Sequence, residues 1–454
     1  MTTTESNTVL AALDAATRGA VLEPGTAEYI VEATGFNVAV DHQPAAVVVA
    51  ADAADIAAVV RIASAAGLKV AVKCTGHSAD ATGPDTILVC TRALRTLTVD
   101  HHARTATIGA GIVWQEVLDA AAPFGLGALA GSSTTVGAVG YTLGGGLSPI
   151  GRTYGFAADH VRSIEVVTAD GVARRADEHQ NADLFWALRG GGSAFGIVTE
   201  VVVDLFPLQT VLGGGIFYDI TDARAVVEAW RLWVSTVPES VSTSVAILHL
   251  PPMPELPEPL RGRTVLHLRF THVSNTEDGC ALLAPMRALA QPIMDTVGEI
   301  PFAALASVHM DPTDPMPAME RGLLLNELTD EGLEIFMTAA EMPLAVAELR
   351  AMGGALSRGP AIDNAVGGRQ AAFNLLGIGV LVPPIADMVP GVLDAFVDRF
   401  EPWSGGAFMN MAGAASGTPA DRVRLGWDAA TRDRLDAIRA SVDPQRVFAA
   451  AARW

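Results

Sequence analysis

Cysteine is nearly absent: the 454 residues include three, Cys74, Cys90 and Cys280. They are too few and too scattered for a disulfide framework or a zinc site, and they fit a reducing compartment. Basic residues are also scarce, 30 against 50 acidic ones, for a formal charge of −20. With no Lys/Arg cluster along the chain, its field repels phosphate backbones and anionic lipid, which argues against nucleic-acid and membrane partners. No apolar run approaches the roughly 18 residues of a membrane span, and MTTTESNTVLAALDAATRGAV lacks the basic start and continuous apolar segment of a signal peptide. The expected location is the cytoplasm. Ten histidines include His101-His102 and the pair His267 and His272. Five residues apart on an expected strand, the latter two point to opposite faces, so no protein-built metal site is expected.

What is present is apolar. Half the residues are hydrophobic and 18% are charged, enough to bury a large core, and the length calls for two or three compact units. Residues 45 to 98 alternate strand-like and helical patterns: AAVVVAA, then DAADIAAVVRIASAAG, LKVAVKC and TILVC. The helix has Asp52 or Asp55 at its start and Gly67 just past its end. ARTATIGAGIVWQEVLDAAAPFG reads as strand, turn and helix, and VRSIEVVTADGVARRA as a hairpin closed by Asp170-Gly171. After Pro207 strand candidates (SVAILHL, TVLHLRFTH, QAAFNLLGIGV) mix with helical ones (DARAVVEAWRLWVSTV, DEGLEIFMTAAEM), as in a separate α+β unit. The tail carries a helix, TRDRLDAIRASV, stopped by Asp443-Pro444.

Three glycine-rich segments fall in the first half: CTGHS at 74 to 78, GSSTTVGAVGYTLGGG at 131 to 146, and RGGGSAFG at 189 to 196. Bare backbone of this kind turns several N–H groups toward one point, which suits a pyrophosphate. The ordinary nucleotide motifs are missing. Gly109 and Gly111 lack a third glycine before the helix, and no glycine is followed by Lys-Ser/Thr. Read alone, His77 in VKCTGHSAD is open to being a metal ligand, a general base, a hydrogen-bonded loop histidine or an attachment point.

The order of the motifs narrows this. A β-α-β start, a Gly-His-Ser loop, T-V-G-x-x-G-x-x-x-G-G-G, R-x-x-G-F-A-A-D, and N-A-D-L-F-W-A-L-R-G-G-G-x-x-F-G-I-V-T together resemble the vanillyl-alcohol oxidase superfamily, and within it the berberine-bridge-enzyme-like FAD oxidases. The resemblance implies an α+β chain: a two-part FAD-binding domain over 1–206 (subdomains about 40–100 and 101–206), an α+β substrate domain with an antiparallel sheet over 207–404, and a segment 405–454 returning to the FAD domain. It implies that Lys73, Cys74, Thr75, Gly76, His77 and Ser78 wrap the pyrophosphate and that His77 is joined covalently to the flavin. Cys74 and Thr75 replace two family glycines. Some members add a cysteinyl bond two residues before the Thr of T-V-G; that place holds Ser133, so a single bond through His77 is expected.

By the same resemblance, Thr134 to Gly146 runs along the flavin, with Gly137, Gly140, Gly144 and Gly146 allowing close approach and Tyr141 bonding near the pyrophosphate. Val136 matches a position where a small residue leaves room for oxygen, which favours an oxidase over a dehydrogenase. Gly196 and Val198, within Phe195 to Thr199, meet the adenine end, and Asn410 in AFMNMAG lies close to the ring as the candidate catalytic contact. DPQRVF matches a closing packing motif. The implied partners are a small-molecule substrate and O2, with a monomer or homodimer as the assembly.

The base is not legible. Sugar oxidases of the family place tyrosines after the G-G-G run and near the C-terminus, whereas Leu147 and Trp427 stand here and the four tyrosines are Tyr29, Tyr141, Tyr154 and Tyr218. His249, His267, His309, Asp311 and Glu327 are the middle-domain candidates. Met-, Leu- and Pro-rich stretches such as HMDPTDPMPAMERGLLL suit an apolar alcohol, hemiacetal or amine. A dehydrogenase with another acceptor, and a non-redox flavoprotein (a lyase, isomerase or binding protein), are the alternatives.

Overall fold

A computed structural model describes residues 3–78, 80–413 and 425–449. Among them, no helix is long and apolar enough to cross a membrane. The first sheet has four strands in the order Ala20–Leu22, Ala46–Val49, Thr86–Cys90, Lys69–Lys73. The last three pair in parallel, and the near-continuous burial of AVVV and TILVC is what a parallel sheet covered on both faces requires. The crossover helix Ala53–Ala66 is capped by Asp52, whose side chain accepts from the N–H groups of Ala54 and Asp55, and ends at Gly67 in the left-handed region. Asp52 is therefore the cap, and Asp55 plays another part. Its buried carboxylate accepts from the backbone N–H of Arg18, Gly19 and Ala51.

The second sheet is antiparallel, ordered Leu97–Asp100, Thr105–Gly109, Ile197–Asp204, Val161–Val167, Ala173–Ala176. Its last two strands form the hairpin closed by Asp170-Gly171. Both sheets share one core with the helix Trp114–Ala121.

The third sheet has nine antiparallel strands between residues 210 and 406. Its central strands are Thr264–His272, Val241–His249, Val346–Ala351 and Phe373–Val380. In VAELRA, Ala347, Leu349 and Ala351 join an apolar core with the helices Ala223–Trp233, Asp330–Met337 and Val389–Asp398. Alternation sends Glu348 and Arg350 to the opposite face, which turns toward the first half of the chain. There Thr271 donates to the Pro149 carbonyl at 2.5 Å and Arg152 to that of Val241 at 2.7 Å.

The tail divides within a few residues. Ser404–Gly406 is an outer strand of the large sheet, paired with Ala318–Leu325. The helix Ala429–Val442 instead packs on the helix Ala182–Leu188, with Arg434 3.9 Å over the Trp186 ring, and Val70 donates to the Val447 carbonyl at 2.8 Å.

Asp55 yields a stability prediction. Burial alone would raise its pKa, but three backbone N–H groups and Arg18 outweigh it and hold the carboxyl below the usual range. The stabilisation is thus complete above the ordinary carboxylate pKa and is lost as pH falls through the lower folded value. Asp55→Ala strands three N–H groups and should cost about 2–4 kcal/mol, measured by urea unfolding at pH 7, with a smaller loss at pH 3. A loss below about 0.5 kcal/mol would show that water replaces the carboxylate.

Candidate active site

A cavity of about 610 Å³ opens where the first sheet, the glycine-rich helix Ala138–Leu143 and the tail meet. Its walls include Lys73, Cys74, Thr75, Gly76, His77, Ser78, Val136, Gly137, Gly140, Tyr141, Gly144, Val198 and Asn410. Thirteen of the sequence-expected positions thus converge on one space, from four separate stretches of chain. Met409, Trp427 and Phe448 close it from the tail.

The loop after strand Lys69–Lys73 is held by the segment 34–37. Gly76 has φ +76°, and a Cβ there would lie 2.6 Å from the Gly35 Cα, so only glycine allows the two backbones to meet. Phe36 N donates to the Thr75 carbonyl at 2.8 Å, and the buried Lys73 ammonium donates to the Thr34 carbonyl at 2.6 Å. Burial lowers the Lys73 pKa. Cys74 fits without glycine's freedom because its side chain packs on bare backbone: a Cβ on Gly137 would lie 3.0 Å from the Cys74 Sγ.

His77 is stacked on Phe36, with ring centroids 3.9 Å apart and planes 9° from parallel. Its two nitrogens face hydroxyls, Nδ1 at 2.8 Å from Thr75 Oγ1 and Nε2 at 3.3 Å from Thr135 Oγ1. Burial pulls its pKa down to about 4, so at neutral pH the imidazole is neutral and keeps one nitrogen unprotonated. Thr75, the second replaced glycine, thereby orients the ring. Phe36 and Thr135 carried no sequence signal, since stacking and a hydroxyl contact follow from the loop's closure alone.

Four expected residues lie behind the cavity wall. Thr134 is turned away, its hydroxyl donating to Gln115 at 2.8 Å, and Ser133 bonds Thr135 at 3.1 Å, one step removed from His77. A Cβ on Gly146 would meet the Tyr141 ring at 2.5 Å, and one on Gly196 would meet Val166 at 2.5 Å, so both glycines serve packing. Asn410 spends its amide on backbone: Oδ1 accepts from Gly146 N at 3.0 Å and Nδ2 donates to the Tyr141 carbonyl at 3.1 Å. It ties the tail to the glycine run and is a positioning residue. Tyr141, expected to bond through its oxygen near a pyrophosphate, lines the large cavity with a buried Oη that has no partner within the protein, and burial raises its pKa.

Tyr141 has Arg350 as its charged neighbour, which leads to a second, smaller cavity of about 30 Å³ on the large sheet's polar face. Glu348 accepts from Arg269 at 2.7 Å and from Arg350 at 3.0 Å, all three side chains being buried. Burial would raise the Glu348 pKa, but Arg350 and Arg269 hold it well below the usual range. Of the candidate bases, His309 lines this cavity and His267 lies against Arg269 at 3.2 Å. Burial and the guanidinium groups lower both histidines, His309 to about 4. His249 instead faces the Ala340 carbonyl at 3.0 Å, Asp311 is half-exposed and Glu327 is exposed. The sequence signal for the missed pair was the two charges of VAELRA, two residues apart on an otherwise apolar strand.

Residues 44–177 match the family model described as an FAD binding domain. The chain is 34% identical over 196 residues to (R)-6-hydroxynicotine oxidase of Paenarthrobacter nicotinovorans, covering 43% of this chain and 42% of that protein. The match spans less than half the length of the first curated relatives. The whole fold is shared with wild-type BBE-like 1 of Physcomitrella patens at TM-score 0.82 and 19% identity, over 97% of both chains. It is shared too with the glucooligosaccharide oxidase of Acremonium strictum, described with a 6-S-cysteinyl, 8α-N1-histidyl FAD, at TM-score 0.82 and 22% identity over 97% of both chains.

The large cavity fits FAD. Its volume lies within the ~300–1,000 Å³ of cofactor sites, and a Cβ built on Gly140 or Gly192 meets nothing within 4 Å, so the wall is bare where a long ligand must pass. Gly140→Leu should fill that space: flavin content should fall at least about tenfold, read from absorbance per protein, while the apoprotein's melting temperature holds or rises with the better helix former. Full flavin content in this variant would rule the cavity out as the FAD site.

Proposed function

We propose that this chain is a member of the vanillyl-alcohol oxidase superfamily, among its berberine-bridge-enzyme-like FAD-linked proteins, and that it is an FAD-linked oxidase of a small molecule. The observation that carries this reading is the neutral His77 on the wall of the large cavity, held by Phe36 and two threonine hydroxyls. A stacked, neutral imidazole keeps one nitrogen unprotonated, and exchange of its hydroxyl partner would let that nitrogen form one covalent bond to the cofactor. With serine at 133 no thioether can form there, so the tether is single. FAD, when bound, supplies a two-electron hydride acceptor that O2 reoxidises with release of hydrogen peroxide.

The chain's own residues bind, orient and exclude water. Lys73 and the loop to Ser78 form one wall of the large cavity, Val136 and Gly137 another, and Asn410 holds the glycine run in place. The substrate is a largely apolar alcohol, hemiacetal or amine. Leu147, Pro149, Phe270, Val308 and Leu356 line the smaller cavity, and Leu147 stands where sugar oxidases place a tyrosine. The three cysteines are free, and a cytoplasmic location belongs to the same proposal.

Acid-precipitated protein should keep its yellow colour and the His77→Ala protein should lose it; release of free FAD from the native protein by acid would sink the covalent tether. Anaerobic bleaching by an apolar alcohol or amine, followed by rapid recovery in air with peroxide formed, is the expected oxidase behaviour. Slow recovery in air would mark a dehydrogenase, and no bleaching by any compound a non-redox flavoprotein.

A further inference from the structure

The polar face of the large sheet holds more positive charge than it neutralises. Arg269 and Arg350 are 4% and 8% exposed, and their shared carboxylate, Glu348, is 2% exposed. Glu348 Oε1 accepts from Arg269 Nη1 at 2.7 Å and lies 3.0 Å from Arg350 Nε, and Oε2 accepts from Arg350 Nη2 at 3.0 Å. Arg350 Nη2 also lies 3.4 Å from Ser132 Oγ, whereas Nη1 has no partner. Asp311, the next acid toward Arg350, is half-exposed and acts on it through space without a direct salt bridge. A third guanidinium, Arg152, is committed to the carbonyls of Val241 and Met352. Two guanidinium groups against one carboxylate leave one buried positive charge, and the adjoining His267 and His309, lowered in pKa by burial and by the guanidinium groups, stay neutral and supply no negative charge to offset it.

Hydrogen-bonding capacity is in excess at the same place. Arg350 Nη1, Ser244 Oγ and the ring nitrogens of His309 are buried without a hydrogen bond, His309 Nε2 lying 3.7 Å from Glu348 Oε1, and Tyr141 Oη on the adjoining large cavity is likewise unpartnered. Arg350, Ser244 and His309 line the cavity of about 30 Å³, whose remaining wall includes Leu147, Phe270 and Leu356. That space admits a group of carboxylate size. Water there could satisfy donors but could not supply the missing negative charge. Arg350 is not among the residues lining the large cavity, so this demand is separate from the one FAD answers. Tyr141 connects the two, lining the large cavity while facing Arg350.

We infer that the substrate is an acid: an apolar body bearing a carboxylate that docks on Arg350 Nη1, with the hydroxyls of Ser244 and Tyr141 donating to its oxygens. Arg350 is then the residue that selects acids over neutral analogues, because a guanidinium binds a carboxylate through charge-assisted hydrogen bonds that an amide cannot match. This rests on the reading of the chain as an FAD-linked oxidase and names the chemical class of its substrate.

The test is equilibrium binding to the flavin-loaded enzyme, followed by calorimetry and by perturbation of the flavin spectrum. The probes are cinnamate and phenylacetate against cinnamamide and phenylacetamide. The acids should bind at least about tenfold more tightly than the amides. Arg350→Gln should erase that preference to within about twofold, and Arg350→Lys should keep part of it, since the charge remains while the planar fork is lost. Equal binding of acids and amides to the wild type, binding of neither, or an undiminished preference in Arg350→Gln would overturn the inference. The first comparison uses the wild type, so a misfolded variant leaves it decisive. A protein that purifies without flavin would instead remove the oxidase reading.

Discussion

The close approach of Gly76 to Gly35 holds the wall of the large cavity together. Two backbones without Cβ atoms meet there, and a Cβ on Gly76 would stand 2.6 Å from the opposing Cα. From that contact follow the bond from Phe36 to the Thr75 carbonyl, the reach of Lys73 to Thr34 and the stacking of Phe36 on His77. Phe36 and Thr75 bracket the imidazole in this closed loop, where burial lowers its pKa and keeps the ring neutral. A loop with a bulkier residue at 76 could not present His77 in this state, whatever the rest of the sequence.

The second constraint is the tie made by Asn410. Its amide takes the Gly146 N–H on one side and gives a hydrogen to the Tyr141 carbonyl on the other, so it fixes the exit of the glycine-rich helix. A Cβ on Gly144 would lie 2.6 Å from that amide, which shows how closely the tail is seated. The tail therefore completes the cavity rather than merely following the large sheet: Met409, Asn410, Trp427 and Phe448 all line it. Tyr141, fixed at the same turn, carries the geometry onward to Arg350.

Local physics explains which parts were legible in the sequence. The β-α-β start, the Asp52 and Gly67 boundaries and the Asp170-Gly171 hairpin are set by short-range patterning and appear as read. The glycine segments signalled bare backbone, but not its purpose at each position: Gly140 opens onto the cavity, whereas Gly146 and Gly196 make room for Tyr141 and Val166. Both uses look alike in sequence because both need a missing Cβ. Thr134 turned out to face Gln115, since register along an irregular loop depends on what packs behind it. Phe36, Thr135 and the Glu348–Arg350 pair are site features made by tertiary contact between segments far apart in the chain. Only the alternation in VAELRA hinted at the last.

That alternation also explains where the polar cluster sits. A strand at the centre of a nine-stranded sheet is held by ladders on both sides, so a guanidinium rooted there is aimed more firmly than one on a loop. The opposite face packs Leu349, Leu268 and Val245 into the large apolar core, and this burial offsets the cost of unpartnered groups on the polar face, about 1–3 kcal/mol each. Replacing Glu348, Arg350 and Arg269 together by apolar residues would relieve that cost, as buried ionic clusters commonly allow, whereas removing Glu348 without Arg269 would strand a buried charge. A sheet selected for stability alone would have no use for a charged pair with one guanidinium nitrogen left over. The unspent donor makes sense as a contact reserved for a molecule that comes and goes.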